Sequence, residues 1–160
     1  MPDTFKAADY LQRALIGQFY SRFSVHTGFE LEFEDFTLAG QEVESPDEKI
    51  LNAGFVHSYA PASCTANPQV IAKSAILAAC LGVSISKVEL AVDASLTLSF
   101  ENGVCITLVT STPVIDWHWA ITEGRGDPYS GCIVACFARG EIQGGIANNS
   151  SKPMPLRGTA

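Results

Sequence analysis

The stretch from Leu81 to Ile121 constrains the fold more than any other, because it carries three apolar runs in strand period joined by turn residues. Val88, Leu90 and Val92, then Leu96, Leu98 and Phe100, then Val104, Ile106 and Leu108 alternate with other side chains. A period of two gives each strand one buried face. Asp93-Ala94 and Asn102-Gly103 fall where tight hairpins are needed, and Asn-Gly tolerates positive φ at low cost. The run therefore reads as an antiparallel β-meander.

The same design occurs earlier, from Leu15 to Asp35. Gly17 answers Gly82, Phe23 and Val25 answer Val88 and Leu90, and Phe29, Leu31 and Phe33 answer Leu96, Leu98 and Phe100. Each copy changes parity once, between Tyr20 and Phe23 and between Ile85 and Val88, which predicts a bulge or bend near the start of the strand. The expectation is one domain over residues 1–146 built by internal duplication, with repeat 1 at about 4–59, repeat 2 at about 68–146, and 147–160 as a flexible tail.

Each copy begins with a helical pattern. Thr4 to Leu15 places Phe5, Ala8, Tyr10, Leu11, Leu15 and Ile16 near one stripe and stops at Gly17. Pro68 suits a first helical turn, and Gly82 stops a broad apolar arc of Val70, Ile71, Ala75, Ile76, Leu77 and Ala78. Ala60 to Asn67 links the copies, and Cys132 to Phe137 with Glu141 to Ile146 makes a last hairpin about Arg139-Gly140. The fold class that follows is α+β, a curved antiparallel meander with two helices packed on one face.

At 160 residues with 47% hydrophobic content, the chain can bury a core without disulfides or metal. Five cysteines, an odd number with Cys80 and Cys105 in apolar segments, read as buried thiols. Cys132 and Cys136 share a strand face with Val134 at a spacing too wide for one metal. There is no apolar run of membrane-spanning length and no signal-like start in Met1 to Gly17, so a cytoplasmic protein without a membrane partner is expected. Asn148-Asn149-Ser150 then carries no glycan, and Arg125-Gly126-Asp127 before Pro128 reads as a turn.

Charge separates the two copies. Thr97, Ser99 and Glu101 alternate with the core positions of the second, whereas Glu30, Glu32 and Glu34 do so in the first. Asp35, Glu42, Glu44, Asp47 and Glu48 follow, so residues 30–48 hold eight acids and no Lys or Arg. Like charges along one strand face repel, which points to a basic partner or to a solvated edge that resists aggregation. The acids lack the order of a calcium loop, and a net charge of −7 disfavours nucleic acid.

Catalytic patterns are sparse. The chain has no Gly-x-Ser-x-Gly, phosphate-cradling loop, His-Glu-x-x-His or dinucleotide fingerprint. No cofactor, metal or catalytic residue is assigned, and the chain is not read as an enzyme. Trp117, Trp119 and Ile121 would share a core face, leaving His118 on the other as an exposed or hydrogen-bonded side chain. An alternative is a small-ligand binding module or enzyme with a pocket between the sheet and the helices, its rim holding Asp116, His118, Trp119 and Glu123.

Leu81-Gly82, the Leu96 to Gly103 run, Trp117 to Ile121 and Gly140-Glu141-Ile142 together resemble small uncharacterised bacterial proteins found among immunity proteins of polymorphic toxin systems, including contact-dependent growth inhibition. The resemblance covers mainly the second half and implies binding of a cognate toxin domain without catalysis. It transfers no binding residue. With the acidity it suggests an immunity protein that neutralises a cationic toxin domain such as a nuclease through Glu30, Glu32, Glu34, Asp35, Glu42, Glu44, Asp47 and Glu48, itself a monomer or weak dimer when unbound. A homo-oligomeric structural protein is the remaining alternative.

Overall fold

In the first helix, α1 (Pro2–Leu15), Ala7, Leu11 and Leu15 recur every four residues and lie fully in the core, while Ile16 stays half exposed beyond the last turn. Gly17 ends it with φ of +82°, a conformation that glycine adopts without a Cβ penalty. The computed structural model describes residues 2–59, 67–114, 116–124 and 128–144, with backbone alone for 2–5, 57 and 130. The expected tail at 147–160, the Arg125-Gly126-Asp127 turn, the Asn148 motif, Cys64 and residues 60–66 of the linker lie outside the described residues.

Four strands follow, β1 (Arg22–Val25), β2 (Phe29–Glu32), β3 (Phe36–Gly40) and β4 (Val43–Glu44). A helical segment then runs through α2 (Glu48–Leu51), a π-helical stretch (Asn52–Val56) and α3 (His57–Tyr59). Next come α4 (Pro68–Ala79), β5 (Ile85–Leu90), β6 (Leu96–Phe100), β7 (Cys105–Leu108) and β8 (Trp119–Glu123). The short α5 (Pro128–Gly131) precedes β9 (Cys132–Ala138) and β10 (Glu141–Gly144). Asn67 caps α4 by accepting the Gln69 backbone N–H at 3.0 Å, and Pro68 occupies the first turn.

The molecule is α+β, and its antiparallel strands divide between two sheets that do not close into a barrel: β1-β2-β3-β8-β9-β10 and β4-β7-β6-β5. A continuous meander is thus replaced by a switch of sheet at Gly40, where β3 gives way to β4. A Cβ on Gly40 would lie 2.6 Å from Leu108 Cδ2, and one on Gly28 would lie 2.8 Å from the Gly40 carbonyl oxygen. Gly40 thus lets its backbone approach a Leu108 side chain of the other sheet, and Gly28 lets the β1–β2 turn approach the Gly40 carbonyl within its own sheet.

The connectivity repeats. Each of α1-β1-β2-β3-β4 and α4-β5-β6-β7-β8 forms three antiparallel strands and sends its fourth to the other set, β4 onto β7 and β8 onto β3. Two backbone bonds respect the same relation. Gly17 N–H donates to the Ile85 carbonyl at 2.8 Å, and Gly82 N–H donates to the Tyr20 carbonyl at 3.0 Å. The parity change before Val88 is a register shift between Ile85 and Lys87, whereas Tyr20 lies outside β1.

Core faces meet between the sheets. Leu31, Leu38, Ile121 and Val134 stand in one register row, and Val43, Leu108 and Leu96 in another, all buried. Burying each such side chain contributes roughly 1.5–3 kcal/mol. Tyr20 stands among Phe23, Phe33 and Phe100 in edge-on geometry, and its hydroxyl donates to the Leu77 carbonyl. The helices flank both sheets instead of sharing one face, with α1 packed on β5 and β10, and α4 meeting β1 and the helical segment. Val92 departs from its expected core role. Strand β5 ends at Leu90, and Val92 is 97% exposed in the following turn.

Candidate functional site

Lys73 is the only charged side chain between Asn67 and Ser86, on a helix of otherwise small and apolar residues. Its position on α4 faces inward with Ala72, Ile76 and Leu77, so the ammonium is carried under β4 and is only 7% exposed. It donates to the Val43 carbonyl and pairs with Glu42 Oε1 at 3.0 Å and Glu48 Oε1 at 3.2 Å. An ammonium has three donors, so these acceptors can satisfy it completely. The carboxylates are held in turn. Glu42 Oε1 accepts the Val43 N–H at 2.9 Å, and Glu48 Oε2 accepts the Ser45 N–H at 2.9 Å.

This clasp ties α4, β4 and α2 together and forms the wall of an open groove of about 530 Å³. Glu44, Glu48, Lys49, Asn52, Gln69 and Lys73 line it. Glu44 is exposed and stands in register with Thr107 of β7, whose hydroxyl lies 2.9 Å from that of Thr97 on β6. Polar side chains therefore continue from the groove across the outer face of the smaller sheet.

The eight acids do not form one surface. Glu30 and Glu32 are half-buried on the outer side of β2, opposite Ala39 and Thr37 of β3. Glu32 lies 3.6 Å from Arg22, and Glu30 lies 3.6 Å from His26. Glu34 falls beyond β2, so it and Asp35 sit exposed in the β2–β3 turn. Glu42, Glu44, Asp47 and Glu48 lie past the other end of β3, about 20 Å away at 3.4 Å per residue. Glu42 and Glu48 are engaged by Lys73, which leaves Glu34, Asp35 and Glu44 as the exposed acids of the eight.

Asp116, His118, Trp119 and Glu123 do not line the groove at Lys73. Trp119 is fully buried with Ile121, and its indole N–H donates to the Ala94 carbonyl at 2.8 Å. Asp116 and Glu123 are exposed. His118 is buried at 6% exposure instead of being solvated, and its Nδ1 has no hydrogen-bond partner among the described residues. Its backbone is pinned on both sides, donating to the Cys136 carbonyl at 2.8 Å and accepting from Gln41 N–H at 2.9 Å. Burial, and secondarily the Arg139 charge, holds its pKa below the ordinary 6.5.

That depression has a sign. The unfolded chain takes up the His118 proton first as pH falls through 6.5, so the folded state loses stability from there down to the lowered native pKa. Urea unfolding at pH 8 and at steps down to pH 5 should show a steeper decline for the native protein than for His118→Leu. Parallel declines would mean that His118 stays hydrated in the fold.

Among the described residues, no group of three His, Cys, Asp or Glu side chains is placed to hold a metal ion, and Cys80, Cys105, Cys132 and Cys136 are free thiols. Burial pushes the Cys136 thiol up to about 11, which keeps it protonated and unreactive at neutral pH. None of the described helices is long and apolar enough to cross a membrane. No family model, curated protein or solved structure matches the chain.

Sequence reasoning missed Lys73 as a centre. The signal was present as a lone charge in an apolar helix, but the partners it required lie 25 to 31 residues upstream.

Proposed function

We propose that the chain is a binding protein that captures and neutralises a cationic protein, for which a toxin domain such as a nuclease is the candidate partner suggested by the immunity-protein resemblance. The observation that carries this reading is the distribution of its charge. Arg22 and Lys73 are committed to Glu32, Glu42 and Glu48, while Glu34, Asp35 and Glu44 remain exposed on a chain of net charge −7. An opposite field accelerates encounter with a basic surface and penalises acidic competitors.

The test is capture of a partner from the native lysate on immobilised protein at low salt, followed by elution with rising salt and identification by mass. A single basic protein should be retained, and Glu34→Lys, Asp35→Lys and Glu44→Lys combined should lower its association rate about tenfold or more at low salt. Retention of the same protein at an unchanged rate by the triple variant would remove the electrostatic basis of this reading.

A further inference from the structure

The helical segment from Glu48 to Tyr59 carries large apolar side chains that the core does not use. Ile50 is 73% exposed, Phe55 52% and Tyr59 62%. The Phe55 and Tyr59 rings stack on each other at 5.4 Å with an interplanar angle of 10°, forming an aromatic shelf in solvent. Val70 of α4, which packs against the π-helical stretch, is also partly exposed. Isolated exposed apolar residues are ordinary, but several on one short segment mark an interaction surface. The wider π turn within this segment is a geometry found disproportionately at functional sites.

The same segment supplies Lys49 and Asn52 to the groove beside Lys73. Glu44 and Glu48 line that groove with Lys49 and Lys73, Glu42 pairs with Lys73 beside it, and Asp47 precedes Glu48 at the start of α2. Lys73 is already satisfied by its internal partners, so the carboxylates left over are the exposed Glu44 and the half-buried Asp47. An apolar shelf flanked by surplus carboxylate complements a helix that has apolar residues on one side and Lys or Arg on the other.

We propose that this shelf and groove are the docking surface for a cationic amphipathic segment of the partner protein. Apolar anchors of the partner cover Phe55, Tyr59 and Ile50, and its basic side chains reach Glu44 and Asp47. The inference rests on the cationic-partner reading above and adds to it where the partner sits and what shape of segment it offers.

The probes are two fluorescein-labelled synthetic peptides of identical Leu and Lys composition, one ordered as an amphipathic helix and the other scrambled. Each is titrated with the full chain at low salt. The ordered peptide should bind about tenfold more tightly than the scrambled one, a difference of about 1.4 kcal/mol. Phe55→Ser with Tyr59→Ser should abolish that preference, and an unchanged thermal midpoint confirms that the variant is folded.

Equal affinity for the two peptides, or a preference that survives in the variant, overturns the docking surface and leaves the cationic-partner reading standing. Failure of both peptides to bind at low salt overturns both. Sizing of the chain across concentration supplies the remaining control. If the chain is a dimer that the double variant converts to monomer, the shelf is occupied by a second copy and the proposal is wrong.

Discussion

Lys73→Met should destabilise the fold by about 3–5 kcal/mol, the range for removing one member of a buried ion cluster. The substitution keeps the length and apolar stem of the side chain but removes the donor to the Val43 carbonyl and the countercharge of Glu42 and Glu48. Two carboxylates would then face each other across a site whose wall includes Ile76, Leu77 and Ile106. The loss therefore arises mainly from charges left behind rather than from packing.

Adding Glu42→Gln and Glu48→Gln to Lys73→Met should recover much of the stability, because neutral amides tolerate low dielectric and still accept from the Ser45 and Val43 amides. Urea unfolding of the single and triple variants measures both effects. A single-variant loss under about 1 kcal/mol would place the ammonium in effectively aqueous surroundings. A triple variant no better than the single would show that the Val43 bond, and not the charge balance, carries the effect.

Trp119→Ala should cost about 3–5 kcal/mol through the cavity it leaves. For a chain of this size that lowers the thermal midpoint by roughly 6–20 °C. The site is unforgiving because Trp119 also holds a strained turn. Ala94 has φ of +65°, the sole positive value for a non-glycine among the described residues, and its carbonyl accepts the Trp119 indole N–H. Asp93 at the same turn accepts the Gly140 N–H with its backbone carbonyl and lies 3.8 Å from Arg139. The β5–β6 turn is thereby fastened to the β9–β10 turn of the other sheet.

Trp119→Phe separates the two roles. It retains most of the apolar volume, loses the indole donor, and should cost about 1–3 kcal/mol for the unsatisfied Ala94 carbonyl. Amide exchange at Gly140 should accelerate in this variant, since the turn that supplies its acceptor is loosened. Stability within about 0.5 kcal/mol of the native protein and unchanged exchange would mean that the turn is held by its own local bonds.

Local pattern made much of the fold legible. Leu96, Leu98 and Phe100, with Ile106 and Leu108, lie in the core as their period of two requires, and Gly17 and Gly82 both take the positive φ expected of helix stops. Val92 failed because periodicity cannot say where a strand ends. The turn began one pair earlier, and the side chain was released to solvent. The row at Glu30 and Glu32 was readable as a solvent-side face of β2, but its basic neighbours Arg22 and His26 come from the adjacent strand and turn, and register decides such pairings.

His118 shows the same limit from the other side. Alternation set it on the face opposite Trp119, yet His118 falls just before β8 begins, and the ring is buried there with an Nδ1 that has no partner among the described residues. Parity identifies a face, whereas burial depends on what the rest of the chain lays over it.

The amino-acid order by itself determined the α+β class, the two helix-then-strand stretches and the concentration of acid in residues 30–48, because each follows from spacing within a few turns or strand pairs. Tertiary structure alone decided that β3 and β4 part into different sheets at Gly40, that β4 and β8 cross to each other's neighbours, and that Lys73 withdraws Glu42 and Glu48 from the acidic surface. The physical reason is range. Periodicity and turn chemistry act between residues close in sequence, while ion pairing, backbone approach at glycine and sheet order are settled only when distant segments compete for the same few ångströms of space.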